Sequence, residues 1–177
     1  MKKLIVLTLM ALLAAGSTYA QHPQQHCGRH HNCPHAQRTT SGPQVNADGI
    51  DLMIVKAFPT AKKVNKTEKW TEVYDVKGAL LGYAVYSKPA SDGIKGYNGE
   101  TPVLIALTAK KKISGVYALP NSETPRFAQH VQESGFYDTW NGLSIKKALK
   151  KKVDTVSGAT FTSRAVCQSV IAALEKL

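Results

Sequence analysis

Two apolar segments separated by a charged turn constrain the fold of this 177-residue chain more than any other feature. Val103 to Thr108 is a nearly continuous apolar run, and Ile113 to Leu119 is a second one. Three consecutive lysines, residues 110–112, lie between them. Short apolar runs bounded by turn signals are typical of buried strands. The sequence therefore predicts a strand, a charged turn and a second strand.

A second pair of strands is predicted upstream. Trp70 to Val76 alternates moderately between apolar and polar residues, and Lys77-Gly78 is a turn signal. Leu80 to Tyr86 then continues as a strand. Two strands joined by so short a turn form a hairpin, so the sheet is expected to be antiparallel.

Three other segments have helical patterns. Apolar residues from Ile50 to Phe58 recur at helical spacing before Pro59, and Arg126 to Ser134 suits a helix that ends at Gly135. Hairpins with flanking helices predict an α+β fold, here a single domain over residues 46–177. The last segment places five apolar residues on one helix face: Val166, Val170, Ala173, Leu174 and Leu177.

The N-terminus has the pattern of a secretory signal peptide over residues 1–20. Lys2 and Lys3 precede an apolar run from Leu4 to Ala15, and small residues follow up to Ala20. We expect cleavage near Gln21, which would give an exported, periplasmic or otherwise extracytoplasmic protein that is soluble after cleavage. An uncleaved anchor is the alternative, although the run is shorter than the about 20 residues that a span needs.

Residues 21–45 form a polar, His-rich segment typical of a flexible tail. Imidazole and thiolate are ligands of zinc, copper and nickel, so the tail is a candidate metal site, although its spacing matches no defined finger. In an exported protein Cys27 and Cys33 could instead form a disulfide. The candidate metal ligands are His26, Cys27, His30, His31, Cys33 and His35.

The formal net charge of +11 raises the question of an anionic partner. Nucleic-acid-binding proteins carry such an excess. An exported chain meets little nucleic acid, however, and apart from two lysine clusters the basic residues are scattered. We therefore expect no nucleic-acid partner, and attribute the charge to an anionic partner or cofactor, or to solubility.

The segment Asp154 to Ser163, DTVSGATFTS, lies directly before the predicted C-terminal helix. Amide groups at a helix start are unsatisfied donors and favour a phosphate. Gly158 and Ala159 would let a phosphate approach the backbone, and the Thr160 hydroxyl could bond to it covalently. The segment thus suggests a phosphate-bearing cofactor fixed at Thr160; the alternative is an ordinary helix cap after a tight turn.

Three short motifs follow one another in a definite order. Gly96-Tyr97-Asn98-Gly99 precedes the Val103 strand, Glu123-Thr124-Pro125 follows the next strand, and Ser157-Gly158-Ala159-Thr160 opens the last helix. From about residue 79 to the C-terminus, this arrangement resembles the FMN-binding domain of the C subunit of the sodium-pumping NADH:quinone reductase and of the G subunit of the related Rnf complex. The same domain also occurs alone, as an exported flavin carrier.

The resemblance implies that FMN is the cofactor and is joined through its phosphate to the hydroxyl of Thr160. In that family a flavin transferase, which uses FAD and magnesium and releases AMP, attaches FMN within a D-x-x-S-G-A-T pattern. The residues that complete this pattern here are Asp154, Ser157, Gly158 and Ala159.

The two upstream motifs carry the other implied contacts. Gly96, Tyr97 and Gly99 match the family's glycine–tyrosine loop, which is expected near the flavin. Glu123 and Thr124 match its E-T-P segment, whose residues are expected to approach the isoalloxazine ring and the phosphate.

One departure from the family pattern follows the E-T-P segment. Glycine, a bulky apolar residue and glycine are usual there, whereas this chain has Arg126-Phe127-Ala128. A loop that needed glycine for positive φ must be different here. Arg126 could pair with the phosphate or face solvent.

Several other side chains have two interpretations each. Trp140, Phe136 and Tyr97 could stack on the flavin, with core packing the default for the first two. His130 is expected to be structural. Five lysines between residues 146 and 152 could favour an anionic reduced flavin or form a solvated helix face.

The predicted function is that of an exported electron-transfer flavoprotein, which relays electrons from a membrane redox complex to an extracytoplasmic acceptor. The residues form no convincing acid–base or nucleophilic set, so no independent substrate is assigned. One alternative is a metal-binding or metal-delivery protein that acts through the tail. Another is a free-standing reductase with bound FMN.

Overall fold

The computed structural model describes residues 44–177. The predicted signal peptide, the six candidate metal ligands of the tail and the possible Cys27–Cys33 disulfide lie outside the described residues. The elements in chain order are α1 (Leu52–Ala57), β1 (Lys63–Lys66), β2 (Thr71–Tyr74), β3 (Leu80–Tyr86), β4 (Val103–Thr108), β5 (Ile113–Ala118), α2 (Pro125–Glu133), a 3₁₀ helix (Phe136–Trp140), α3 (Ile145–Lys150) and α4 (Thr160–Glu175).

The strands form one five-stranded sheet in the order β1-β2-β3-β4-β5, with every neighbouring pair antiparallel. This confirms the predicted α+β class and both predicted hairpins, β2–β3 and β4–β5. Strand β1 was not predicted, because its sequence KVNK has no apolar alternation and most of its side chains are exposed. A short, charged strand is a common way to protect the edge of a sheet.

Strand β4 is buried on both faces, which explains why it is apolar at nearly every position. Val103, Ile105 and Leu107 point into the larger core, beneath α2, the 3₁₀ helix, α3 and α4. Leu104 and Ala106 point to the opposite face, into a smaller core beneath α1. The two cores thus share one central strand. Because successive side chains of a strand point to opposite faces, they enter the two cores alternately.

Aromatic side chains of the 3₁₀ helix fill the larger core. Trp140 is 1% exposed and meets Phe136 edge-to-face, with ring centroids 5.5 Å apart. Tyr137 is buried beside them, and this burial raises the pKa of its hydroxyl to about 12. Trp140 and Phe136 therefore pack in the core, which was the default for these two candidate stacking groups.

The predicted helices agree with the structure to within a few residues. α2 begins at Pro125, and the amide hydrogen that proline lacks would have no hydrogen-bond partner within the helix at this position. Gly135, which follows the helix, has φ 71°. α4 spans sixteen residues and buries Val166, Val170 and Leu174 against the sheet. No helix within residues 44–177 is both long enough and apolar enough to cross a membrane.

The two ends of the sheet carry different loops. One end, here called the lysine end, holds the β2–β3 and β4–β5 turns. Gly82, near the start of β3, pairs with Thr108, the last residue of β4, so the turn before β3 and the turn after β4 lie at the same end. Residues 142–144 join this end, because the Ile113 amide donates to the Leu143 carbonyl (2.9 Å). The other end, here called the motif end, holds the start of β4 and the end of β5. The six residues of β4 separate the two ends by about 20 Å.

Candidate functional site

The three sequence motifs come together at the motif end. A Cβ added to Gly96 would collide with the carboxylate of Glu123 and would lie 3.2 Å from the Cα of Thr162, in the first turn of α4. A Cβ at Gly99 would likewise collide with the side chain of Ser122. The glycine–tyrosine loop therefore needs glycine because it packs against both other motifs, not because of positive φ.

Glu123 ties the first two motifs together. Its carboxylate is buried, and Oε1 accepts from the amides of Asn98 and Thr124, both at 3.0 Å. The Asn98 side chain in turn donates to the Ser122 carbonyl (2.9 Å). These bonds fix the loop over the segment that joins β5 to α2, so the position of Gly96 depends on Glu123.

Three buried polar atoms at this end have no hydrogen-bond partner among residues 44–177. One is the hydroxyl of Thr101, just before β4. The other two are Oε2 of Glu123, a residue 5% exposed, and the hydroxyl of Thr162, a residue 2% exposed. Buried polar atoms in native proteins are nearly always paired, and leaving one unpaired costs about 1–3 kcal/mol. The Glu123 and Thr162 atoms lie on residues that adjoin Gly96, so they indicate a place where a ligand or water supplies the missing partners.

The third motif forms a tight turn and the first residue of a helix. Gly158 has φ 79°, a value that side chains with a Cβ rarely adopt. Ala159 is the N-cap and Thr160 the first helical residue, and within the described chain no side chain caps this helix. The helix start therefore keeps amides available to an anion, while the tight turn at Gly158 also agrees with the alternative of an ordinary helix start after a turn.

Ser163 and His130 support this turn from two sides. The buried hydroxyl of Ser163 accepts from the Val156 amide (3.0 Å) and donates to the Ala159 carbonyl (3.0 Å). Nε2 of His130, on α2, is 2.9 Å from the Ser157 carbonyl oxygen, a distance at which the ring donates. His130 thus has the structural role expected of it, and it links α2 to the motif.

Exposed aromatic side chains surround the motif end. Tyr97 is 64% exposed and meets Phe127 edge-to-face, with ring centroids 4.9 Å apart. Phe161, next to Thr160, is 61% exposed. Tyr97 is therefore the one stacking candidate of the three that is accessible, and Phe161 is a further one that the sequence analysis missed.

The remaining predicted site residues lie nearer the surface. Asp154 and Ser157 are exposed on the segment that leads to α4, and Thr124 is half-buried as the N-cap of α2. The departure at Arg126-Phe127-Ala128 has a clear reason, since these residues form the first turn of α2 and need no positive φ. Arg126 is exposed.

The lysines before the motif lie at the opposite end of the sheet. Lys151 donates to the Thr139 carbonyl (2.9 Å), and Ser144 bridges to Lys112 in the β4–β5 turn. The start of α3, next to Ser144, is about one β4 length, roughly 20 Å, from the motif end, which exceeds the roughly 10 Å over which exposed charges act at moderate salt. For the lysines at the start of α3, the structure therefore gives no support to the suggested influence on a reduced flavin.

Within residues 44–177, no group of three or more His, Cys, Asp or Glu side chains is arranged to hold a metal ion. Cys167 is half-buried in α4, and this burial raises the pKa of its thiol.

Similarity to known proteins covers the motif end. The FMN-binding domain family matches residues 96–175, a range that begins and ends with the elements that build the site. The fold is an α+β domain, and residues 96–175 of this chain are similar to the FMN-binding domain family.

Two relatives belong to ion-translocating oxidoreductase complexes. The chain is 32% identical over 120 residues to the G subunit of the Na(+)-translocating ferredoxin:NAD(+) oxidoreductase complex of Acetobacterium woodii, covering 60% of this chain and 55% of that protein. It is 35% identical over 91 residues to the G subunit of the ion-translocating oxidoreductase complex of Stutzerimonas stutzeri, covering 45% and 40%. The chain thus spans about half the length of these relatives or less.

A crystal structure of Shewanella oneidensis NqrC is similar at 21% identity and a TM-score of 0.43, covering 72% of this chain and 70% of that chain.

The residues at the motif end fit FMN. The amides at the start of α4 suit its phosphate. The unpartnered oxygen of Glu123 and the unpartnered hydroxyl of Thr162 offer an acceptor and a donor to a polar ligand. The exposed rings of Tyr97 and Phe161 offer apolar surface to a planar ring system. The contacts of individual residues with FMN stay predictions.

Proposed function

We propose that this chain is an exported electron-transfer flavoprotein that carries FMN covalently on Thr160 and relays electrons between a membrane redox complex and an extracytoplasmic acceptor. The observation that carries the proposal is the meeting of Gly96, Glu123 and Thr162 around two unpartnered buried atoms, next to the start of α4. The family match over residues 96–175 supports FMN as the ligand that this arrangement takes.

Thr160 is the proposed attachment point because it is the first residue of a helix that no side chain of residues 44–177 caps. Its hydroxyl oxygen bonds to the phosphorus on the riboflavin side of FAD. The pyrophosphate bond breaks, AMP leaves, and the hydroxyl proton passes to solvent. An alcohol is unreactive at neutral pH, so a magnesium-dependent flavin transferase must activate this step.

The side chains of the motif end then hold the cofactor. Thr162 can donate to it, and Glu123 Oε2 can accept from it, while Glu123 Oε1 keeps the loop in place through Asn98 and Thr124. FMN supplies the electron-transfer chemistry when it is bound. The protein positions the flavin and shields part of it from water, and no separate acid or base is needed.

Covalent attachment suits an exported carrier. A cofactor held with a nanomolar dissociation constant, about −12 kcal/mol, would still dissociate slowly and be lost outside the cytoplasm. The two relatives are subunits of ion-translocating oxidoreductase complexes, which supports a membrane redox complex as the electron partner. The signal-like residues 1–20 support export.

Intact mass spectrometry under denaturing conditions tests the attachment. The full chain is expressed with export, together with a flavin transferase. We expect a mass increase of one FMN less one water, and none for Thr160→Ala. Thr155→Ala, an exposed threonine of the same segment, is the matched control and should keep the flavin. A wild-type chain without added mass, or flavin retained by Thr160→Ala, would refute the proposal.

Export is tested on the same preparation. The proposal expects recovery from the extracytoplasmic fraction with an N-terminus near Gln21. A chain that remains in the cytoplasm with residues 1–20 attached would contradict this part alone.

A further inference from the structure

We propose that the lysine end binds the anionic phospholipid headgroups of a membrane surface and holds the motif end away from the bilayer. The surface is formed by the lysines of residues 110–112 and of residues 146–152, here called the lysine patch. Binding by the patch does not depend on flavin; only the orientation of the cofactor rests on the function proposed above.

The fold brings the two lysine clusters together, although more than thirty residues separate them in the chain. The Ile113 amide donates to the Leu143 carbonyl (2.9 Å), and the Gly142 amide donates to the Ile113 carbonyl (2.8 Å). Lys112 bridges to Ser144, directly before α3. All eight lysines are exposed, and these backbone contacts bring the two clusters to the same end of the sheet.

Carboxylates do not neutralise this surface. The ion pairs within residues 44–177 are Lys62–Asp48, Lys88–Asp92 and Lys88–Glu100, and none of them includes a patch lysine. The carboxylate of Asp138 accepts from the side chain of Asn141 (2.9 Å), and that of Asp75, in the β2–β3 turn, accepts from the amides of Lys77 and Ala79 (both 2.8 Å). The patch therefore keeps its eight positive charges without a carboxylate partner in the described chain, although Lys111 lies over the Trp70 ring (4.6 Å) and Lys151 donates to the Thr139 carbonyl.

The composition of the patch favours a lipid surface over a protein partner. Protein interfaces are anchored by aromatic and arginine side chains and are depleted of lysine. Here the arginines of the described chain lie elsewhere, Arg126 in the first turn of α2 and Arg164 near the start of α4, and the exposed rings of Tyr97 and Phe161 are also at the motif end. Lysine is a hydrated point charge without the fixed geometry that specific pairing requires, which suits a diffuse negative surface.

An exposed apolar residue at the same end adds to this argument. Val76 is 79% exposed in the β2–β3 turn, next to Lys77. This turn lies at the lysine end by the pairing of Gly82 with Thr108. One apolar side chain, between Asp75 and Lys77, is too small to anchor a protein but can enter the headgroup region.

Co-sedimentation with vesicles tests the proposal on the purified exported chain. We expect binding to vesicles of phosphatidylcholine mixed with phosphatidylglycerol, little binding to phosphatidylcholine alone, and release by salt. Each lysine near an anionic surface is worth roughly fivefold in affinity, so Lys146→Gln, Lys147→Gln and Lys150→Gln together should weaken binding on the order of 100-fold.

A matched control removes the same charge elsewhere. Lys56→Gln, Lys66→Gln and Lys69→Gln replace exposed lysines of α1 and of the β1–β2 region, and this triple variant should keep most of the binding. Equal losses in both triple variants would show general charge attraction and overturn the proposal. So would equal binding to neutral vesicles, or no binding to anionic ones. Thr160→Ala, which should lack flavin, is expected to bind vesicles as the wild type does, so this test is separate from that of attachment.

Discussion

The interior of the protein is filled differently at the motif end and at the lysine end of the sheet. At the motif end the packing of Gly96 against Glu123 and Thr162 leaves two buried polar atoms without partners in the described chain. At the lysine end Trp140 and Phe136 fill the interior, and charge is confined to the surface. The difference indicates a place for a ligand or water beside Gly96, whereas aromatic packing fills the interior around Trp140.

The largest expected effect on stability comes from the aromatic core near the lysine end. Trp140→Ala removes a fully buried indole and its contact with Phe136, so we expect a loss of about 3–5 kcal/mol in the free energy of unfolding. Urea unfolding of the flavin-free protein measures it. Trp70→Ala is the control, since Trp70 is half-buried and its loss should cost less. Equal costs would show that the core is not concentrated at Trp140.

A smaller effect is expected from Thr162→Val at the motif end, which should change the stability of the flavin-free and the flavin-loaded protein in opposite directions. Thr162→Val removes an unpartnered buried hydroxyl at nearly constant volume, so the flavin-free protein should gain up to about 1–3 kcal/mol. If the hydroxyl donates to FMN, the flavin-loaded protein should lose stability instead. Thermal unfolding of both forms measures the two changes.

Ser169 provides the matched control for this prediction. Its hydroxyl is also buried in α4 without a partner among the described residues, but it lies further along the helix from the motif. Ser169→Ala should therefore change the flavin-free and flavin-loaded forms alike. The same sign for Thr162→Val in both forms would exclude its hydroxyl from cofactor binding.

Much of the fold could be predicted because burial leaves a clear pattern. β4 is apolar throughout since both of its faces are covered, and α4 shows one apolar face since it packs on a single core. β1 could not be predicted, because an exposed edge strand of lysine and asparagine has no period to detect. α3 was seen only as a basic segment, since six residues are too few to establish helical periodicity.

Residues of the candidate site could be predicted only where they belong to short sequence motifs. Gly158 and Gly96 belong to such motifs, and the structure gives each a physical reason, positive φ in one and close packing in the other. The unpartnered hydroxyl of Thr162 was not predictable, since it is a property of the packed structure. The position of the lysines was not predictable either, because it depends on the path of the chain from the 3₁₀ helix to α3.

The smallest expected effect concerns the loop that carries Gly96. Glu100 pairs with Lys88 and accepts from the Gly93 amide (2.9 Å), so it ties down residues 88–100. The hydrogen bond from Lys88 and that from Gly93 lower the pKa of Glu100. A lowered folded-state pKa contributes stability that is present above the unfolded-state pKa and is lost as the pH falls through the folded-state value.

Glu100→Gln should therefore lower the melting temperature slightly at neutral pH, and the difference from wild type should vanish in acid as the native carboxylate becomes protonated. The effect is small because both side chains are in contact with solvent, which screens their attraction. Glu68→Gln, at an exposed carboxylate in none of the ion pairs of residues 44–177, is the control and should show no such trend. A deficit for Glu100→Gln that stays constant into acid would mean that Glu100 acts through packing and not through its charge.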